Sequence, residues 1–257
     1  MSTFLFSETI FGPIHSRRLG SSLGINLLPV DRKYCNFNCV YCECGANIKG
    51  GDIKLPSRFE VKDALLQKLA KLRAEGQPVD SITFAGNGEP TIHPDFAGII
   101  DDTINLRDRF FPEAKVSVLS NATMINSQAV VDALKKVDMN ILKLDSALND
   151  TVMAVNRPTA DYSVDKTVNL LKQFGGDFIL QTMFFAGDVN GLHINNMEDA
   201  ELSAWLKVVD LLRPKTVMIY TIARDTPEQN LRKATHNELE TIKNKILELG
   251  VNVQVSE

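Results

Sequence analysis

Six short β-rich runs, each followed by a segment of helical periodicity, predict an α/β fold: a partial (β/α)6 barrel with parallel strands. Two further observations narrow it. Most β-then-helix units repeat at about 25–40 residues, the size of a crossover unit. Six such units are too few to close an eight-unit barrel, so a curved, open sheet is expected. No Pro/Gly/Ser linker or low-complexity tract interrupts the 257 residues. One domain spanning 1–257 is therefore expected, with 1–22 as a lead-in and 35–44 as an inserted loop.

The expected strands are LGINLLP (23–29), DSITFAG (80–86), KVSVLSN (115–121), MNILKLD (139–145), DFILQTMFF (177–185) and KTVMIYTI (215–222). After the first, Ser57 with Glu60 three residues on is a capping-box signature. Val61, Leu65, Leu69 and Leu72 then follow on one helical face, and Gly76 ends the helix. A second helix runs from about Ser163 through Val168 and Leu171 to Gly175-Gly176. A third carries Leu202, Trp205, Leu206, Val209 and Leu212 before Pro214. The last opens with a second capping box, Thr235 and Glu238, and closes at Gly250.

Composition excludes several classes. Hydrophobic content of 44% and charged content of 23% are those of a globular chain. A formal charge of −4 argues against non-specific nucleic-acid binding, which needs a local surplus of Lys and Arg. MSTFLFSETIFGPIHSRRLG is not a secretory leader, and nowhere do 18 apolar residues run together, so no membrane span is expected. All four cysteines lie in CNFNCVYCEC, from Cys35 to Cys44. That clustering is unlike a secreted disulfide framework and points to a reducing cytoplasm.

In parallel sheets of this kind chemistry sits in loops at the carboxyl ends of the strands. The unusual residues fall there: the cysteines after the first strand, Gly86-Asn87-Gly88-Glu89-Pro90 after the second, Ser120-Asn121 at the third and Asp145 at the fourth. Gln181 and Met183 face the same mouth if Thr182 faces outward. Tyr220 ends the sixth strand and faces either mouth or core. His93 lies just beyond the glycine turn, where it either meets the site or starts the next helix with Pro94.

Cys35, Cys39 and Cys42 have the spacing C-x3-C-x2-C. Thiolates are soft ligands, and such spacing suits zinc or an iron–sulfur cluster. A structural zinc normally takes four ligands, and no second CxxC pair or His-x3-His is present. Three thiolates suit a cubane with one iron left free of protein.

With Tyr41 before the third cysteine, the loop resembles the signature of the radical SAM enzymes. The resemblance implies a [4Fe–4S] cluster on Cys35, Cys39 and Cys42, its open iron chelating S-adenosylmethionine. It also implies an aromatic Tyr41 near the adenine. An electron from the cluster would cleave the sulfonium, giving methionine and a 5′-deoxyadenosyl radical that takes hydrogen from substrate. Gly86, Asn87, Gly88 and Glu89 resemble the family's Gly-Gly-Glu-Pro motif, with Asn87 inserted, and would hold the methionyl amine. The alternative for that stretch is a plain strand-to-helix turn, which leaves Glu89 without a role. Ser120-Asn121-Ala122-Thr123 resembles the family's Ser/Thr-Asn-Gly-Thr segment, with Ala122 in place of glycine. Ser120 and Asn121 would meet ribose or carboxylate, or cap the next helix. Asp145 resembles the acid of the family's Ser-Leu-Asp and would bind ribose hydroxyls or substrate. A fourth thiolate would occupy the iron that S-adenosylmethionine needs, so Cys44 is read as a neighbouring thiol outside the ligand set.

Phe11-Gly12-Pro13-Ile14-His15-Ser16-Arg17-Arg18-Leu19-Gly20, Asn156-Arg157-Pro158 and Ile219–Arg224 resemble the wyosine-synthetase-like branch. Established members of that branch modify a guanosine beside a tRNA anticodon and carry a second cluster. This chain has no cysteines for a second cluster, so a single-cluster member is expected. The substrate is unidentified, with a tRNA nucleoside as one reading. A glycyl-radical activase acting on a partner protein and a non-enzymatic zinc-binding module are the alternatives. An electron donor such as flavodoxin or ferredoxin is the implied partner. Arg17, Arg18, Arg157 and Arg224 are the candidate substrate-side cations, since Arg offers a planar fork to phosphate or carboxylate.

Overall fold

The computed structural model describes residues 4–16, 18–48, 50, 52–189 and 191–257. In chain order the elements are β1 (Ile10–Ser16), β2 (Gly20–Ile25), α1 (Arg58–Ala74), β3 (Ser81–Phe84), α2 (Phe96–Phe110), β4 (Lys115–Ser120), α3 (Gln128–Leu134), β5 (Met139–Lys143), α4 (Asn149–Val155) and α5 (Val164–Leu171). They continue with β6 (Ile179–Met183), β7 (Phe185–Val189), β8 (Leu192–Asn195), α6 (Asp199–Leu212), β9 (Thr216–Tyr220), β10 (Leu231–Lys233), α7 (His236–Glu248) and β11 (Val253–Ser256).

All six expected strands are present, as β2, β3, β4, β5, β6 and β9, each parallel to the next. The sheet order is β1-β2-β3-β4-β5-β6-β9-β11, a mostly parallel half-barrel. It is two strands wider than expected. β1 pairs antiparallel with β2 at one edge, and β11 pairs parallel with β9 at the other. β1 escapes periodicity because Gly12-Pro13 and an irregular register between Phe11 and Ile14 interrupt its alternation. The run 177–185 also divides: β6 stops at Met183, and Phe185 begins a separate antiparallel sheet of order β10-β7-β8. An Asn-Gly pair at 190–191 is the hairpin signal in the sequence for that second sheet.

Alternation along the strands gives the sheet two unlike faces. Leu23, Ile25, Ile82, Phe84, Val116, Val118, Leu142, Leu180 and Val217 pack outward beneath the helices in the main core. Thr182 faces the same way, its hydroxyl donating to the Leu144 carbonyl and accepting from Trp205 Nε1. The inner face starts apolar, where Leu19 covers Ile141, Ile179 and Met218. Toward the carboxyl ends it turns polar, with Lys143, Gln181 and Tyr220 at the same cavity. On the β2–β4 side a hydroxyl ladder of Ser22, Thr83, Ser81 and Ser117 satisfies itself at 2.8–3.0 Å.

Both expected capping boxes form. Ser57 and Glu60 open α1, and Thr235 and Glu238 open α7. Arg232 adds a 2.9 Å contact that, with the cap, holds the Glu238 carboxyl down to about 2 from 4.5. A carboxyl that ionises more readily in the folded state stabilises the fold fully above its ordinary value and loses that effect as pH falls toward 2. Discounting for the one-third exposure of Glu238, the contribution is ~1–2 kcal/mol. Glu238→Gln is therefore expected to cost ~1 kcal/mol at pH 7 and less than half of that near pH 2.5, read by urea unfolding at the two pH values.

Candidate functional site

The cysteine loop leaves β2 and is fastened without disulfides, since all four cysteines are free. Tyr34 exchanges backbone hydrogen bonds with the glycine turn, donating to the Asn87 carbonyl at 2.8 Å and accepting from Glu89 N–H at 3.3 Å. Val40 N–H donates to the Val155 carbonyl and Asn38 N–H to the Asn156 carbonyl, each at 2.9 Å. Asn47 clasps the loop internally, accepting from Cys35 N–H and donating to its carbonyl. The loop thus hangs between the β3 turn and the end of α4.

Cys35, Cys39, Cys42 and Cys44 line one cavity of about 290 Å³ at the carboxyl ends of the strands. Asn121 Nδ2 points to Cys35 Sγ at 3.5 Å and Asn156 Nδ2 to Cys39 Sγ at 3.4 Å. Lys33 is buried beside them, its ammonium donating to the Gly45 carbonyl at 3.0 Å. Burial would lower the Lys33 pKa, yet the neighbouring Cys42, Cys35 and Cys39 raise it. Cys42 is held down to about 5, first by a hydrogen bond from Cys44 and, against burial, by Lys33. The neighbouring Cys42 and burial push the Cys44 thiol up, and its sulfur lies 3.5 Å from the Gly86 carbonyl. Burial pushes Cys35 up to about 12, and it raises Cys39 as well. Among the described residues no three Cys, His, Asp or Glu side chains converge closely enough to hold a single metal ion. The donor set fits a thiolate-ligated cluster: three soft ligands on one cavity, amide N–H groups aimed at two sulfurs and a buried cation to offset negative charge.

The glycine turn reaches the cavity through Gly86, Gly88 and Glu89. Gly86 and Gly88 adopt φ of 155° and 147°, a backbone that side chains rarely follow. Glu89 is buried and bridges two strand ends, its carboxylate accepting from Thr91 N–H at 3.1 Å and from Asn121 N–H at 2.6 Å. It caps the short 3-10 helix Pro90–Ile92, so even a plain turn gives this residue a task. Burial pushes its carboxyl up. Ser120 and Asn121 line the cavity, and Ala122 takes φ of 62°, the left-handed conformation for which the resembled segment carries glycine.

Two of the expected contact residues, Asn87 and Asp145, lie off the cavity wall. Asn87 does not line the cavity; fully buried, it pins the N-terminal segment, exchanging two 2.9 Å bonds with the Phe6 backbone and donating to the Pro29 carbonyl. Asp145 is also absent from the wall. Its carboxylate accepts from Tyr41 OH, Asn156 Nδ2 at 2.7 Å, Met183 N–H at 3.0 Å and Lys143 at 3.4 Å. Tyr41 lines the cavity, but its hydroxyl belongs to that same network. His93 lies outside the site: Nδ1 accepts from Asp95 N–H, so Nε2 donates to the Pro56 carbonyl at 2.8 Å, joining α1 to the start of α2.

Of the three candidate arginines among the described residues, Arg18 meets the cavity. Arg157 pairs with Glu228 at 2.8 Å and Arg224 with Glu43 at 2.5 Å, bracing the stretch after β9 against the α4 end and the cysteine loop. Arg17 lies outside the described residues. Lys33 and Lys143 line the cavity but are absent from the motif reading, and Asn156, quoted there only as part of a branch motif, points at Cys39 Sγ. Lys143 was within reach, because it shares the inward face with Gln181 across paired strands.

A family model described as the Radical SAM superfamily matches residues 32–200. Over 255 residues the chain is 29% identical to a protein of Brachyspira hyodysenteriae named GTPase Obg, covering 98% of this chain and 35% of that one. The chain thus spans about a third of the length of that relative. A radical SAM methyltransferase from Sphaerobacter thermophilus has the same fold, with a TM-score of 0.67 at 12% identity, over 91% of this chain and 65% of that one. Archaeal TYW1 follows with a TM-score of 0.53 at 13% identity, over 88% of this chain and 71% of that one. Those structural likenesses speak to the fold, while the family match runs from the cysteine loop past β8 across well over half the residues. On that extent the chain belongs to the radical SAM superfamily, a superfamily of enzymes.

Proposed function

We propose that this chain is a single-cluster radical SAM enzyme, with residues 1–257 forming one domain. Cys35, Cys39 and Cys42 would hold one [4Fe–4S] cluster. The observation that carries this reading is that Cys35, Cys39 and Cys42 share one cavity with the Gly86–Glu89 turn; Cys44 lines the same cavity, its sulfur 3.5 Å from the Gly86 carbonyl. When bound, the cluster and S-adenosylmethionine supply the electron and the 5′-deoxyadenosyl group that abstracts hydrogen from substrate.

The protein's part is placement. Backbone at Gly86 and Gly88 admits a ligand where a side chain would block it. Glu89 accepts from Thr91 and Asn121 and lines the cavity, where its carboxylate would meet an ammonium such as the methionyl amine. Ser120, Asn121 and Tyr41 supply the neighbouring wall, with Asp145 holding Tyr41 from behind. No helix among the described residues is long and apolar enough to cross a membrane. Reduction would come from a flavodoxin or ferredoxin.

The substrate reading turns on the rim. A tRNA nucleoside would bring phosphates to the cavity edge, where Arg157 and Arg224 already carry acidic partners. Anaerobic reconstitution tests the function: about four irons and four sulfides per chain, with 5′-deoxyadenosine formed from S-adenosylmethionine and dithionite, are expected. One zinc per chain and no 5′-deoxyadenosine would overturn it in favour of a zinc module. A glycyl radical raised on a partner protein would make the chain an activase instead.

A further inference from the structure

One side of the cavity holds buried hydrogen-bond donors without a partner among the described residues. Arg18 reaches it from the β1–β2 turn, its guanidinium 4.8 Å over the Tyr220 ring, and its Nη1 is buried without a partner. Gln181, 5% exposed on the inner face of β6, likewise leaves Nε2 without a partner. Both residues line the cavity, as does Lys143, whose ammonium donates to Tyr220 OH at 2.7 Å. A buried donor left without a partner costs ~1–3 kcal/mol, and these two face the same cavity, where a bound oxyanion would satisfy both. The adjacent Thr182, on the opposite face of β6, is fully bonded.

Charge points the same way. The carboxylates on the cavity wall are Glu43 and Glu89. Glu43 is paired with Arg224, and Glu89 is engaged by Thr91 and Asn121. Lys143 has Asp145 at 3.4 Å, whereas Arg18 forms no ion pair with the wall. A guanidinium offers a planar fork to an oxyanion, and a neighbouring amide N–H completes the contact. The glycine turn follows β3, while Tyr220 ends β9, with β4, β5 and β6 between them in the sheet. These donors therefore lie across the cavity from the wall assigned to the methionyl amine.

We propose that Arg18 and Gln181 form a subsite for the carboxylate or phosphate of the molecule on which the radical acts, a compact anion rather than a nucleic acid. The inference rests on the radical SAM reading above and adds the chemical class of the substrate. Lys143 and Tyr220 support it by closing that end of the cavity.

The test is calorimetric. Full-length protein, reconstituted anaerobically and saturated with S-adenosylmethionine, is titrated at low ionic strength with propionate and separately with methyl phosphate. Binding of one probe is expected, and the preferred probe separates a carboxylate from a phosphate substrate. Affinity should fall about tenfold or more in Arg18→Gln and in Gln181→Met, and recover in part in Arg18→Lys. Affinity for S-adenosylmethionine should stay within about twofold. Gln181→Met conserves volume and carries the test should Arg18→Gln fail to fold. The proposal is overturned if neither probe binds, if the substitutions leave binding unchanged, or if saturating S-adenosylmethionine abolishes it, which would give these donors to its own carboxylate. A chain that takes up no cluster overturns the preceding reading instead, and the same titration on cluster-free protein keeps the two failures apart.

Discussion

Alanine at Cys35, Cys39 or Cys42 is expected to abolish both the iron–sulfur absorbance of the reconstituted chain and its 5′-deoxyadenosine formation, whereas Cys44→Ala retains most of each. With three ligands for four irons, no spare thiolate on the cavity replaces a missing one except Cys44, and Cys44 is directed elsewhere. Its sulfur lies 3.5 Å from the Gly86 carbonyl, within reach of a thiol hydrogen bond. Losing a ligand also leaves Lys33, 3% exposed, among fewer negative partners, at the cost of an uncompensated buried charge. Iron and sulfide analysis with the product assay decides it. Retention of a full cluster in Cys39→Ala, or its loss in Cys44→Ala, would reassign the ligand set.

The second large effect is expected from a residue with no chemistry of its own. A Cβ on Gly88 would stand 1.8 Å from the Tyr34 carbonyl oxygen and 2.9 Å from Leu28 Cδ1, at φ of 147°. Tyr34 is the residue that bridges the cysteine loop to the glycine turn, and its carbonyl is backbone that cannot swing aside. Gly88→Ala must therefore part the loop from the turn. A loss of ~3 kcal/mol or more, with a matching loss of iron, is expected. Gly76→Ala is the control: φ is 65°, but nothing lies within 4 Å, so it should cost only ~1 kcal/mol. Thermal melts of both, with iron content, make the comparison. Equal melting points and equal iron would show that the bridge does not govern cluster uptake.

The legible parts of this molecule were those whose physics is local. Alternation along 139–145 and 177–185 placed β5 and β6, and it put Gln181 and Met183 inward once Thr182 faced outward toward Trp205. The capping boxes at Ser57 and Thr235 depend on residues three apart and formed as read. Where the expectation failed, the deciding partner was distant. Asn87 sits inside the motif that marks the site, yet its amide is claimed by Phe6, 81 positions away. Asp145 ends a strand at the mouth, yet Tyr41, 104 positions earlier, takes its carboxylate.

The amino-acid order by itself determined the half-barrel, the end of it that carries chemistry, and the three-thiol spacing, because each follows from backbone periodicity or from ligands a few residues apart. Only the tertiary structure decided which polar side chains on that mouth remain unspent. Arg18 and Gln181 keep a buried donor without a partner, whereas the Asn87 amide and the Asp145 carboxylate are taken up by bonds within the fold and Arg157 and Arg224 are paired with Glu228 and Glu43. The physical reason is that a side chain's hydrogen bonds go to whatever the fold brings within about 3 Å, and those partners lie tens to more than a hundred residues away along the chain.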